Sequence, residues 1–172
     1  MNIVDMCMHH KKYELKFELD SEKWRSFNPE IKDIVHHNWF SAKFLNENGD
    51  ALNEEINSIP DDKGGIYLFL LKPEVVPQTH LYILYIGRAR RREGYSLRKR
   101  CRTYFTDTRP KIAYMREIWG KDLFIKYLPL NDDTIIEKVE RELLRVIIPP
   151  CNTQIPDYDV IIGEDEKVLR GE

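Results

Sequence analysis

One glutamate in the last third of the chain places an acidic group on an apolar surface. The stretch from Thr134 to Ile148 predicts a long helix, and Glu140 lies near its middle. Its neighbours at the i−4, i+3, i+4 and i+7 positions are Ile136, Leu143, Leu144 and Ile147. A carboxylate in such a stripe is costly unless a cation or a hydrogen-bond donor meets it. The residue types therefore leave two interpretations open, a divalent ion such as magnesium or an ion pair with an arginine.

Two other glutamates of the same predicted helix have charged neighbours instead. Glu137 and Glu142 each share their stripe with an acid or a base three or four residues away. We expect both to be solvated carboxylates, which leaves Glu140 as the candidate metal ligand.

Arg100 is the second residue that is suited to phosphate chemistry. In the predicted helix from Ser96 to Phe105, Leu97 and Tyr104 lie on the same side as Arg100. A guanidinium held this way can bind a non-bridging phosphate oxygen and stabilise the charge that grows during phosphoryl transfer. The other basic residues of the helix point elsewhere and are interpreted as contacts to a nucleic-acid backbone or as solvated side chains: Arg98, Lys99 and Arg102.

Two tyrosines lie in neighbouring apolar runs that predict paired strands. Tyr67 shares one strand face with Gly65 and Phe69, and Tyr85 shares a face of the next strand with Ile83 and Gly87. The two phenols are therefore expected to converge. Cross-strand aromatic packing is one interpretation, and a pair of hydroxyls beside a reacting phosphate is the other.

The charge of the chain is unevenly distributed. Eight basic residues and one acid lie between Arg88 and Phe105, a local balance of +7 that leaves −9 for the rest of a chain with net charge −2. Attraction to phosphates acts locally because salt screens charges over about 10 Å. The segment predicts either a polyanion-binding cleft, with Arg90 and Arg91 among its contacts, or a solvated basic surface.

Several of these residues belong to an ordered set of motifs that resembles the GIY-YIG nuclease superfamily. The resemblance covers residues 64 to 153. Its parts, in order, are Gly65-Ile66-Tyr67, Tyr85-Ile86-Gly87, Arg88, the L-x-x-R-x-x-x-Y pattern from Leu97 to Tyr104, Glu140, Pro149 and Asn152. Ordered motifs together are more specific than one tripeptide.

The resemblance implies a role for each matching residue. Tyr67 accepts the proton of the attacking water, Tyr85 orients phosphate or water, Arg100 is the catalytic arginine and Glu140 binds the metal. Supporting roles fall to Arg88 at phosphate, to Tyr104 in the arginine motif, and to Asn152, which braces the site by hydrogen bonding. The implied cofactor is Mg²⁺ or Mn²⁺, and the implied substrate is DNA, hydrolysed by direct attack of water. The alternative is a catalytically inactive nucleic-acid- or partner-binding module on the same scaffold.

The fold predicted from the patterns and the resemblance is α+β, with a small three-stranded antiparallel sheet flanked by helices and an N-terminal α/β extension. The strands are expected at residues 65–71, 81–86 and 122–128, and a further strand of the extension at 13–19. A short helix is expected after Ser21 as its N-cap, and another from Pro29 to Ile34. A polar helix is expected between the turn at Asn48-Gly49-Asp50 and Ile59-Pro60. Further helices are expected at 112–119 and 134–148, the last after Asn131-Asp132-Asp133 and before Pro149-Pro150.

We divide the chain into an extension at residues 1–60, a nuclease-like domain at 61–158 and an acidic tail at 159–172. The extension is the predicted place for a DNA, homodimer or partner-protein contact. Three scattered cysteines and the lack of an apolar run near the ~20 residues of a membrane span predict a soluble, cytoplasmic protein with no membrane partner.

Overall fold

The computed structural model describes residues 15–37, 39–76, 79–92 and 94–156. Its centre is an antiparallel sheet with the strand order β1-β4-β2-β3. The strands are β1 at Phe40–Lys43, β2 at Gly64–Leu71, β3 at Tyr82–Ala89 and β4 at Leu123–Leu130. Because β3 pairs only with β2 in this order, its outer edge is available to other parts of the chain.

The prediction of an α+β fold with helices around an antiparallel sheet is confirmed, but the predicted number of strands is wrong. The fourth strand, β1, comes from the N-terminal region and pairs with β4, with Ala42 opposite Ile125. The strand expected at 13–19 is also wrong for residues 15–19, which are not in a strand, while 13 and 14 lie outside the described residues. Leu19 is 78% exposed, so the alternating pattern there does not bury an apolar face.

Five α-helices flank this sheet within the described ranges. They are α1 at Ser21–Arg25, α2 at Pro29–Val35, α3 at Leu97–Thr103, α4 at Pro110–Trp119 and α5 at Asp133–Ile147. Side-chain caps begin several of them: Asp20 rather than the predicted Ser21 caps α1, Ser96 caps α3 and Asp132 caps α5. A 3₁₀ helix at Glu54–Ser58 replaces the longer polar helix expected before Pro60.

The two faces of the sheet carry different cores. On one face Tyr67, Phe69 and Tyr85 pack with Cys101 of α3, with Tyr104 directly after that helix and with Ile112 of α4, in one cluster. On the other face Ile66, Leu68 and Ile86 pack with α5 through the buried residues Ile136, Val139, Leu143 and Leu144. Alternation along β2 directs successive side chains to the two cores in turn.

A bulge in β3 places Ile83 on the opposite face of the sheet from the predicted one. The pairing of β2 with β3 shifts between Phe69 and Leu70, so that Phe69 lies opposite Tyr85 whereas Leu70 lies opposite Ile83. Ile83 consequently packs against the α5 core, and the prediction that it shares a face with Tyr85 is wrong. Tyr85 still lies on the same side as Tyr67.

The segment after α5 runs along the free edge of β3. Ile148 adopts a left-handed conformation with φ 51° and ψ 62°, which is rare for a β-branched residue and turns the chain sharply after the helix. The backbone N–H of Cys151 then donates to the carbonyl of Leu84 at 2.9 Å. This contact closes part of the exposed strand edge and brings the next residue, Asn152, to β3.

The N-terminal region contributes to both cores, through Ala42, Phe44, Ile56 and Ile59 on one side of the sheet and Ile31 on the other. The division of the chain at residue 60 stays a prediction. No helix of the described segments has the length and apolar composition needed to cross a membrane.

Candidate active site

A cleft of about 680 Å³ opens beside the C-terminal half of β3. It is lined by residues of β2, β3, the turn that follows β3, α3 and α5. These residues are Tyr67, Tyr85, Gly87, Arg88, Arg90, Arg92, Tyr95, Arg100 and Glu140. The residues predicted to be catalytic are therefore brought together from parts of the chain up to 73 positions apart in sequence.

Gly87 allows the Tyr67 phenol to reach this cleft. Tyr67 lies opposite Gly87 in the pairing of β2 with β3. A Cβ atom at position 87 would lie 2.4 Å from the Tyr67 hydroxyl oxygen and 2.5 Å from its Cζ. Because contacts that short do not occur between unbonded atoms, only glycine at this position leaves room for the phenol to cross the strand.

Three tyrosine hydroxyls form a hydrogen-bonded chain on this side of the sheet. The Tyr104 hydroxyl donates to that of Tyr85 at 3.1 Å, which uses its only proton. The Tyr67 hydroxyl lies 2.7 Å from that of Tyr104 and must therefore be the donor in this bond. Tyr67 in turn accepts from Nε of Arg100 at 3.2 Å. The chain of donors thus runs from Arg100 through Tyr67 and Tyr104 to Tyr85.

Burial keeps the phenols of Tyr67 and Tyr104 neutral. It raises the pKa of Tyr67 well above its ordinary value, and the neighbouring Tyr104 adds to the effect while Arg100 opposes it. Burial raises the pKa of Tyr104 as well, again against Arg100. At neutral pH Tyr67 is therefore a protonated phenol in the free protein. It can accept another proton only if it releases its own.

Charged groups form the opposite side of the cleft. Nη1 of Arg88 lies 2.8 Å from Oε2 of Glu140 and 3.6 Å from Oε1 of Glu137. Nη2 of Arg90 lies 2.5 Å from Oε2 of Glu137. Arg88 and Arg90 come from β3 and its end, a region that the helical pattern of α5 does not report. Glu137 is 53% exposed despite these two partners, as predicted for a solvated carboxylate. The same prediction is wrong for Glu142, whose side chain is 15% exposed and pairs with Arg145.

Glu140 is largely buried and has a cationic partner in Arg88, which is the arrangement that the ion-pair interpretation predicts; the metal interpretation stays a prediction. Its side chain is 18% exposed. Burial raises the pKa of the carboxyl above its ordinary value of 4.5, Arg88 opposes this, and Glu137 adds to it. The more distant Arg100 also lowers it, which places the catalytic arginine candidate within electrostatic reach of this carboxylate.

The donor set suits a hard divalent cation that takes most of its ligands from water and substrate. Glu140 offers carboxylate oxygens in a partly buried cleft, and magnesium commonly uses one or two carboxylates together with water and phosphate oxygens. Among the described residues, no group of three or more His, Cys, Asp or Glu side chains is arranged to hold a metal. A cation at this place would therefore depend on phosphate for part of its coordination, and it would compete with Arg88 for Glu140.

Asn152 braces β3 from its outer edge. Its amide oxygen accepts from the backbone N–H of Ile86 at 2.9 Å, and its amide nitrogen donates to the Ile86 carbonyl at 2.9 Å. One side chain thus replaces a neighbouring strand between Tyr85 and Gly87. These two bonds are of the kind that the resemblance predicts for Asn152.

The predicted nucleic-acid contacts fall into two groups. Arg90 lines the cleft, and Arg91 and Lys99 line an adjoining depression. Arg98 instead donates to the Ile59 carbonyl at 2.6 Å, and Arg102 to the Asn57 side chain at 3.4 Å. The last two side chains tie α3 to the 3₁₀ helix rather than point into the cleft.

Three residues at or beside the cleft were not singled out from the sequence. Arg92 and Tyr95 form a bridge within the turn after β3 and both line the cleft. Arg109 lies outside the basic segment, and its guanidinium carbon is 5.5 Å from the centre of the Tyr104 ring. A turn centred on Gly94 is a local signal for the first two, whereas nothing in the sequence around Arg109 indicates its position.

Comparison of the chain with protein-family models, with curated proteins and with solved structures finds no match.

Proposed function

We propose that this protein is a metal-dependent endonuclease that hydrolyses DNA phosphodiester bonds at the edge of β3. The proposal is carried by one observation: Tyr67, Tyr85, Arg100 and Glu140, from four elements, line a single cleft. The combination supplies a proton acceptor, a charged phosphate ligand and a metal ligand, which are the groups that phosphodiester hydrolysis by water needs.

The charge of the cleft supports a polyanionic substrate. Arg88, Arg90, Arg92 and Arg100 line it together with one acid, Glu140. The Nε of Arg90 is buried and has no hydrogen-bond partner among the described residues. A buried donor without a partner is costly, and a phosphate oxygen is a suitable acceptor for it.

The tyrosine chain explains how a neutral phenol can accept a proton. As the water oxygen bonds to phosphorus, Tyr67 takes a proton from the water and passes its own to Tyr104. Tyr104 passes its proton to Tyr85, and the Tyr85 proton enters the cleft, where the leaving oxygen takes it up as the P–O bond breaks. No phenolate accumulates in this sequence, which agrees with the raised pKa of Tyr67 and Tyr104.

The charged side of the cleft handles the phosphate. Arg100 stays within hydrogen-bond distance of Tyr67 and binds a non-bridging oxygen of the attacked phosphate. Arg88, released from Glu140, binds a second phosphate oxygen. Glu140 would hold the divalent cation, which would neutralise part of the charge that develops on the phosphate.

Nicking of a supercoiled plasmid in the presence of Mg²⁺ tests the proposal. We expect the native chain to convert it to open circles, and Arg100→Ala and Glu140→Gln to lose at least about a hundredfold in rate, as the loss of a group that stabilises transition-state charge does. Arg25→Ala is the matched control, because Arg25 is an exposed arginine of α1 outside the cleft. Equal nicking by all four proteins, or none by the native chain with Mg²⁺ or Mn²⁺, contradicts the proposal.

A second candidate function is a nucleic-acid-binding module without turnover. The observation that favours it is the 2.8 Å ion pair between Arg88 and Glu140, which already gives the buried carboxylate a cationic partner. This candidate predicts salt-dependent DNA binding by the native chain, with no cleavage under any divalent ion. The plasmid assay, run beside a binding assay, separates the two functions.

A further inference from the structure

A second depression continues the cleft past Glu140. It has a volume of about 460 Å³ and shares Tyr85, Arg88 and Glu140 with the first cleft. Its far side is formed by the start of α4, by α5 and by the segment after α5, through Arg109, Lys111, Ile112, Leu144, Thr153 and Gln154. The two depressions thus form one groove that passes the candidate catalytic residues and opens on both sides of them.

Arg109 is held in a fixed orientation at this second depression. Its Nε lies 3.1 Å from both carboxylate oxygens of Asp107, and its Nη2 lies 2.7 Å from Oδ2. The Asp107 side chain is 14% exposed, whereas that of Arg109 is 51% exposed. The remaining donors of Arg109 face the hydroxyls of Tyr85 and Tyr104, which also hydrogen-bond this side chain. An arginine anchored by one edge in this way presents its other donors in a fixed direction.

Aromatic rings support the same guanidinium. Its central carbon lies 6.0 Å from the centre of the Tyr85 ring and 5.5 Å from that of Tyr104. These are two of the three tyrosines in the hydrogen-bonded chain of the active site. Arg109 therefore lies directly beside the candidate catalytic residues, on the side away from Arg92 and Tyr95.

Lys111 closes the depression by joining α4 to the segment that carries Asn152. Its Nζ donates to the Pro150 carbonyl at 3.1 Å and to the Asn152 carbonyl at 3.4 Å. An ammonium has three donors, so one remains for a ligand. The depression is cationic as a result, with Arg88, Arg109 and Lys111 against Glu140, which is itself paired with Arg88.

We propose that this second depression binds the nucleotide next to the scissile phosphate, with the half-exposed guanidinium of Arg109 contacting the neighbouring phosphate. Lys111 adds a second positive charge on this side. The inference rests on the proposed function and defines the substrate further. The substrate must be a strand that continues across the site and carries a phosphate beside Arg109. A terminal phosphate or a mononucleotide lacks this contact.

The first test uses binding of a duplex oligonucleotide without divalent ions, so that cleavage does not enter. We expect Arg109→Ala to weaken binding about tenfold, which corresponds to one charge-assisted hydrogen bond. The slope of log Kd against log salt concentration should decrease by about 0.9, the value for one phosphate contact. Arg25→Ala should change neither quantity. Thermal unfolding of Arg109→Ala and Arg109→Lys shows whether any loss comes from the fold instead.

The second test leaves the protein unchanged and neutralises single phosphates. A series of duplexes carries one methylphosphonate at each position around the mapped cut. We expect neutralisation of the adjacent phosphate on one side to weaken binding by the native chain about tenfold, and Arg109→Ala to show no further loss with that duplex. Equal tolerance of methylphosphonates on both sides overturns the inference, as does a full Arg109→Ala effect on the neutralised duplex. Native protein that neither binds nor cuts DNA indicates instead that the proposed function is wrong.

Discussion

The two sides of the cleft are built on different physical principles. The tyrosine side is enclosed: Tyr67 and Tyr104 are 0% exposed and belong to the hydrophobic core. The other side is charged and partly open, with Arg88 31% and Glu137 53% exposed. One side is therefore fixed by packing, whereas the other is held by ion pairs that salt, pH or a ligand can rearrange. Changes to the first side should therefore reduce both stability and activity, and changes to the second should reduce activity alone.

Gly87→Ala should have the largest effect, because it forces the tyrosine side open. The added Cβ would lie within 2.5 Å of two atoms of the Tyr67 phenol. We expect the free energy of unfolding to fall by about 2 kcal/mol, as in other overpacked cores, and cleavage to be lost. Denaturant unfolding and plasmid nicking measure the two quantities. Unchanged stability would show that the phenol is not fixed in this position.

Asn152→Ala should come next, because it removes two hydrogen bonds to β3 at once. The N–H and the carbonyl of Ile86 would both lose their partner at 2.9 Å. We expect a loss of about 1 to 2 kcal/mol in the free energy of unfolding. Amide hydrogen exchange of Ile86 should also accelerate, while exchange in β4 should not. Faster exchange throughout the sheet, or none at Ile86, would contradict a local bracing role.

Tyr104→Phe tests the proton path within the tyrosine side. The substitution keeps the ring but leaves the hydroxyls of Tyr67 and Tyr85 without their common partner. We expect a stability loss of about 1 kcal/mol and a much larger loss in cleavage rate, with DNA affinity preserved. A cleavage rate equal to that of the native chain would show that protons do not travel through Tyr104.

Glu140→Gln should have the smallest effect on stability, and its sign should depend on pH. Because the pKa of Glu140 is raised above 4.5, the folded state holds this proton more tightly than the unfolded state does. Its contribution to stability is therefore present below pH 4.5 and lost as pH rises through the higher folded pKa. The amide of the Glu140→Gln variant does not titrate. As pH rises through this window, the native chain should therefore lose unfolding free energy relative to the variant. A shift in the opposite direction would indicate that the pair with Arg88 outweighs burial.

The parts of the site that depend on local periodicity were predictable from the sequence. The helical spacing around Glu140 and Arg100 and the alternation around Tyr67 place these side chains on the correct faces. Each of these patterns is complete within a single helix or strand, so no knowledge of the tertiary structure was needed.

The parts that depend on distant contacts were not predictable in this way. Strand β1 has only four residues and is stabilised by its pairing with β4, more than eighty positions later. The bulge that turns Ile83 to the other face appears only when β2 and β3 are paired. Arg88 pairs with Glu137 and Glu140, about fifty positions later in the chain, and Arg109 lies beside the ring of Tyr85, 24 positions earlier.

One experiment tests whether both sides of the cleft act on the same phosphate: single-turnover cleavage of a synthetic duplex by Glu140→Gln and Tyr67→Phe. The protein concentration is set high enough to saturate binding. We predict that the native chain cuts one phosphodiester in the presence of Mg²⁺, and that each variant binds the duplex but cuts at least about a hundredfold more slowly. Cleavage at the native rate by either variant, with the duplex fully bound, would contradict the claim that both sides of this cleft act on the same phosphate.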